Sequence, residues 1–255
     1  MRKIGVMFFA IAAILANGLA FAAAVVTSVT GTAQAVSGTS AARTLRPGDQ
    51  VVQGDAVSTG AASSVVLRFE DGHVAALSAN SRLLVSTYNY NTVAPERSNV
   101  LLSLVSGGMR AITGLIGRRT PQQVAYRAAN ATIGIRGTDV TLVTDGGNVV
   151  VSVTAGQISF AFGGQTINVP AGQGVNATKD GKFQQVAAEA IAGQLQATPE
   201  GRALLESING LAGLNAAIED AARAATSSGE GTPTALTPYP GTSASGSGGG
   251  SASQK

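Results

Sequence analysis

The sequence predicts a mainly β fold, either an antiparallel sandwich or a β-roll of short hairpins, in an exported chain. Three observations predict the fold. Glycine occurs 33 times in 255 residues, and Val, Thr, Ser and Ala fill much of the rest, a mixture that suits short strands and tight turns. From Val25 to about Val186, apolar residues alternate with polar ones or form short runs between glycines. Asp-Gly and Gly-Gly pairs recur between those runs, where hairpin turns need positive φ.

The elements follow in chain order. Residues 1–24 read as a signal peptide. Arg2 and Lys3 form a positive start, Ile4 to Leu15 an apolar stretch, and Ala20-Phe21-Ala22 the small-x-small pattern of a cleavage site. Cleavage is expected after Ala22, with cleavage after Ala24 as the alternative. Asn17-Gly18 interrupts the apolar stretch, which favours removal over a retained anchor. Only Met1-Arg2-Lys3 precede that stretch, so no cytoplasmic segment is expected.

Residues 25–186 form the β domain. Val65, Leu67 and Phe69 share one strand face, and Asp71-Gly72 is expected to be a two-residue type I′ turn into His73–Leu77. Asp145-Gly146, Gly163-Gly164 and Asp180-Gly181 mark three further hairpins. Residues 187–225 turn helical. Ala187–Ala197 is Ala-rich, and Thr198-Pro199-Glu200 is a helix start. Leu204, Ile208, Leu211, Leu214 and Ile218 make one apolar stripe. That stripe (residues 199–220) is expected to pack on the β domain, with self-association or a partner helix as the alternative. Residues 226–255 are Ser, Gly, Thr and Pro with almost no large apolar residue, the composition of a disordered tail.

Composition excludes several function classes. Removing Arg2 and Lys3 from 17 basic residues leaves 15 against 14 acidic ones, and only Arg118-Arg119 clusters. With aromatics at 4%, nucleic-acid binding is not expected. The absence of cysteine removes disulfides, thiolate chemistry, cysteine zinc sites and a lipid-modified N-terminus. The mature chain is therefore expected to be periplasmic or secreted, without stable membrane insertion. His73 is the only histidine; it follows a turn, where it reads as an exposed strand residue. Asp49, Asp55, Asp71, Asp145 and Asp180 each adjoin a glycine, as turn formers do. No catalytic residue, metal site or cofactor is expected, and the chain reads as a binder rather than an enzyme.

The glycines and their neighbours form an ordered series. Leu45-Arg46-Pro47-Gly48-Asp49 is followed by Gly54-Asp55-Ala56-Val57-Ser58-Thr59-Gly60, and then by Leu67-Arg68-Phe69-Glu70-Asp71-Gly72. Ile133-Gly134-Ile135-Arg136-Gly137-Thr138 and Val153-Thr154-Ala155-Gly156 complete it. G-D, T-G, D-G and R-G-T in this order resemble the FecR domain family over about Val25 to Val186. The resemblance implies an extracytoplasmic, mainly β domain. In the name-giving regulators such a domain lies behind a membrane helix, senses an outer-membrane iron-citrate receptor, and works with a segment that acts on a sigma factor.

Gly134, Arg136, Gly137 and Thr138 are the candidate structural or partner-binding motif. Arg136 is expected to be partly buried and hydrogen-bonded to backbone carbonyls or to a nearby acid, Asp139 or Glu70, tying two strands; the alternative presents its guanidinium to an anionic ligand. The function read first is a non-enzymatic binding or scaffold module engaging an envelope protein or a surface glycan. The alternative is a signal-transduction component regulating iron-citrate-type transport through a sigma factor.

Overall fold

A computed structural model describes residues 22–196 and 199–227. Of the expected signal peptide (residues 1–24) and tail (residues 226–255), residues 1–21 and 228–255 lie outside the described residues, as does Thr198 of the expected helix start. The strands are β1 (Ala22–Thr30), β2 (Ala33–Ser37), β3 (Arg43–Thr44), β4 (Gln50–Val52), β5 (Asp55–Thr59), β6 (Ser64–Phe69), β7 (Val74–Leu77) and β8 (Arg82–Asn89). They continue as β9 (Asn99–Ile112), β10 (Val124–Ala128), β11 (Ala131–Asp145), β12 (Asn148–Phe162), β13 (Gln165–Pro170), β14 (Gln173–Ala177) and β15 (Phe183–Ala187). The helices are α1 (Leu115–Arg119), α2 (Ala190–Leu195), α3 (Pro199–Ala212) and α4 (Asn215–Ser227). None is long and apolar enough to cross a membrane.

All these strands join one hydrogen-bonded sheet, but β9, β11 and β12 each serve two layers of it. The first half of β9 pairs with β8 and β10, and its second half with β7 and β11. The first half of β11 pairs with β10 and the end of β12; its second half pairs with β9 and the start of β12. One layer therefore runs β3-β2-β5-β8-β9-β10-β11-β12-β13. The other runs β4-β1-β6-β7-β9-β11-β12-β14-β15. Their inner faces enclose a single core. Val57, Leu83, Leu102, Tyr126, Ile133 and Phe160 enter it from the first layer. Val26, Leu67, Phe69, Met109, Leu142 and Val151 enter it from the second. Burying each large apolar side chain contributes about 1.5–3 kcal/mol.

The expected mainly β, two-layered fold is present, with one addition: β9 and β10 pair in parallel, so the sheet is mixed. A parallel neighbour needs a crossover. The second half of β9 and α1 supply it, carrying the chain into the other layer and back.

Glycine at the corner makes the layer change. Gly107 of β9, Gly137 of β11 and Gly156 of β12 all have positive φ where their strands switch layers. A Cβ on Gly156 would lie 2.3 Å from the Gly137 carbonyl oxygen, so these two backbones close on each other only without side chains. The register of β11 against β12 shifts at this point, between Arg136 and Asp139.

The expected hairpins are present, with two turns rebuilt. Phe69 N–H donates to the His73 carbonyl at 2.8 Å and only Gly72 has positive φ, so Glu70-Asp71-Gly72 is a three-residue loop, not a type I′ pair. In the second, Asp145 pairs with Asn148 and the turn is Gly146-Gly147.

The helices cover the outer face of the second layer. Ile218 and Ala221 of α4 pack on Val66, Val74 and Ala76. Ile191 and Leu195 of α2 and Leu204 of α3 pack on Val143 and Val150. The apolar stripe thus packs on the chain's own sheet. Among the described residues no helix packs on the outer face of the first layer.

Candidate functional site

The family-type motifs resolve, residue by residue, into framework and surface. Asp55 of the Gly-Asp pair is fully buried; its carboxylate accepts from Arg43 Nη2 at 2.6 Å, Val52 N–H at 3.1 Å and the Ser37 hydroxyl. Thr59 donates to the Ser78 carbonyl at 2.6 Å and accepts from Ser81 N–H at 2.9 Å. Both residues hold the crossing between layers.

Asp71 does more than form a turn. Its Oδ1 accepts from Tyr88 Oη and from His73 N–H, each at 3.2 Å, and its Oδ2 accepts from Ile116 N–H at 3.3 Å. Its own N–H donates to Tyr88 Oη at 2.9 Å, and its carbonyl accepts from Leu115 N–H at 2.8 Å. One buried carboxylate therefore joins the β6–β7 loop, β8 and the start of α1. His73, expected at the surface, is completely buried with Nε2 3.0 Å from Tyr126 Oη. The three-residue loop turns it inward, against Phe69 and Tyr126 at ring-centroid distances of 5.3 and 5.6 Å. Burial pushes its pKa down, against the opposing pull of the Asp71 charge. Burial first, and Asp71 second, push the Tyr88 and Tyr126 hydroxyls up. Both phenols stay protonated.

The Arg-Gly-Thr segment divides sharply. Ile133 and Ile135 face the core, so alternation sends Thr132, Gly134 and Arg136 outward. The bulge at Gly137 then shifts the parity by one, and Thr138, Val140 and Leu142 face inward. Arg136 is accordingly exposed and has no hydrogen-bond or ion-pair partner among the described residues, contrary to its expected strand-tying role. Asp139, its expected partner, instead receives two hydrogen bonds from Arg110, Nε to Oδ1 at 2.9 Å and Nη2 to Oδ2 at 2.6 Å. That bidentate pair raises the Arg110 pKa, and Nη1 also donates to Asn215 at the start of α4. Thr138 is pinned by Thr113, whose Oγ1 accepts from Thr138 N–H and donates to its carbonyl, both at 2.9 Å. A Cβ on Gly134 would lie 2.4 Å from Ser159 Oγ but 3.8 Å from Ser159 Cβ, so a turn of the Ser159 hydroxyl would make room for it.

What the framework leaves free is the outer face of the first layer. Arg82 on β8, Arg127 on β10 and Arg136 on β11 all point outward and are exposed. Among the described residues none has a hydrogen-bond or ion-pair partner. Small side chains lie between them: Ser103 pairs laterally with Arg127, while Ala125, Gly134 and Ser159 form a cross-strand row. Leu84, Leu101 and Val105 add an apolar patch, with Val105 56% exposed. The alternation of single strands carries no signal for this grouping, since its members come from β8 to β12.

Residues 55–159, from the buried Asp55 to Ser159 of the small-residue row, match the family described as FecR protein. The chain carries a FecR domain. The buried Asp55, Asp71 and Thr138 and the corner glycines Gly137 and Gly156 all fall inside the match, as do the three outward arginines. The strands of the FecR-matched segment are completed into one sheet by β1–β4 and β13–β15 from either side. Two crystal structures of a candidate anti-sigma factor from Parabacteroides distasonis ATCC 8503, at 1.65 and 2.50 Å resolution, are similar at 13% identity and a TM-score of 0.45. Each covers 56% of this chain, and the chain spans 65% and 64% of those two chains. No curated protein matches.

Proposed function

We propose that this chain is an exported, non-catalytic signal-transduction component of the FecR type, whose β domain receives a partner in the cell envelope and influences a sigma-factor pathway. The match of residues 55–159 to the FecR family carries this reading and supports it better than the scaffold role considered first. Two observations support a receiving rather than a reacting domain. The single histidine is sealed in the core against Tyr126, and Asp55, Asp71 and Asp139 are all engaged in framework bonds. The open face of the first layer is the surface left for a partner.

The test is transcriptional. Deleting the gene and restoring it should alter a restricted set of promoters that share one alternative sigma-factor recognition sequence. Unchanged transcription, together with altered envelope protein or polysaccharide content, would replace this reading with the scaffold role.

A further inference from the structure

We propose that the outer face of the first layer docks an acidic protein surface, recognised by Arg82, Arg127 and Arg136. The inference rests on the receiving role above and gives that partner its chemistry.

Charge complementarity carries it. Among the outward positions of β8, β10, β13 and the adjoining halves of β9, β11 and β12, arginine occurs at those three places and no Asp or Glu occurs. The carboxylates nearest in sequence are consumed elsewhere: Asp139, nearest to Arg127 and Arg136, by Arg110, and the buried Asp71, nearest to Arg82, by Tyr88 and the His73 and Ile116 N–H groups. Three guanidinium groups with nothing to neutralise them favour an anionic partner and give long-range steering toward it.

The arrangement narrows that partner. Arg127 lies opposite Thr132, and Arg136 stands four residues further along β11. At about 3.4 Å per residue the two lie roughly 14 Å apart along the strand, too far for one small carboxylate ligand to bridge. Several acids on a larger surface are required. A second copy would set arginine against arginine. A glycan would want an aromatic platform, and no outward position of these strands carries an aromatic side chain. Strand addition is excluded over β9–β12, which are paired on both sides, and over Arg82–Leu84 of β8, which lie between β5 and β9. The Leu84, Leu101 and Val105 patch beside the arginines instead fits the apolar centre and charged rim of a protein interface.

The experiment measures binding of poly-L-glutamate to the immobilised mature chain at near-physiological salt, beside polygalacturonate as an anionic polysaccharide. Two variants lose equal charge: Arg82→Gln/Arg127→Gln/Arg136→Gln on the face, and Arg46→Gln/Lys179→Gln/Arg202→Gln away from it. The expected result is poly-L-glutamate binding weakened at least tenfold in the first variant and less than twofold in the second. Equal weakening in both, or no binding by the parent, overturns the proposal. Polygalacturonate binding as tight as poly-L-glutamate overturns it in favour of a glycan site. Should the face variant fold poorly, phenylglyoxal modification of the parent decides. Poly-L-glutamate should protect Arg82, Arg127 and Arg136 and not Arg46 or Arg202; uniform protection is the overturning result. Since binding is read with purified protein, the face can stand while transcription stays unchanged, and the reverse.

Discussion

Two side chains in one motif carry opposite roles, and substitution should separate them. Arg136→Ala removes an exposed group without a partner and should leave stability within about 0.5 kcal/mol of the parent, as surface changes do. Thr113→Val keeps the shape but strips the oxygen that serves Thr138 N–H, and should cost about 1–3 kcal/mol. Urea denaturation of the two variants checks the order; a larger loss from Arg136→Ala would return that arginine to the framework. His73 gives a pH signature. Its folded-state pKa is depressed, so below the unfolded value of about 6.5 the unfolded chain binds a proton that the folded chain resists. The stability it contributes is complete above that pH and is lost as pH falls. Glu70, whose carboxyl is raised by burial and by Asp71, acts in the opposite sense, and it does so equally in the parent and in a His73 variant. The melting midpoint should therefore drop from pH 7 to pH 5. In His73→Gln the drop should flatten, although that variant melts lower throughout.

At the scale of elements, the corner is the decisive construction. Orthogonal or rolled sheets turn corners through bulges in strands that switch layers, and here β9, β11 and β12 turn at Gly107, Gly137 and Gly156. Gly156→Ala meets both a left-handed backbone and a carbonyl 2.3 Å away; Gly181→Ala, in the β14–β15 loop at φ +90, meets only the backbone cost. Gly181→Ala should cost about 1–2 kcal/mol. Gly156→Ala should cost clearly more, and comparing their thermal midpoints tests whether the corner tolerates adjustment. The hairpins were legible in sequence because Gly-rich turns and period-two alternation are local. The corner was not, because each bulge resets alternation and reads along one strand as a lapse in the pattern.

At the scale of the molecule, the first strand bears on processing. Ala23 and Ala24 are 2% and 1% exposed, and Ala24 pairs with Val51 on one side and Phe69 on the other. Cleavage after Ala24 would remove both from the sheet, whereas cleavage after Ala22 leaves them. The mature N-terminus is therefore expected to be Ala23. Mass spectrometry of the intact chain recovered from envelope or culture medium checks it, and recovery of a chain beginning at Val25 or at Met1 would defeat it.

Four features can be read from local sequence: the mainly β class, the inward face of Val65, Leu67 and Phe69, the hairpin sites and the helical stripe. Each follows from periodicity or turn chemistry within a few residues. The burial of His73, the exposure of Arg136 and the convergence of three arginines on one face arise from long-range packing. Those outcomes depend on bulge parity and on partners far apart in the chain: Asp71 with Ile116 across 45 residues, Arg110 with Asp139 across 29, and Arg110 with Asn215 across 105. A side chain's neighbours along the chain cannot report which of two packed layers it will face, because that choice is made where the strands bend.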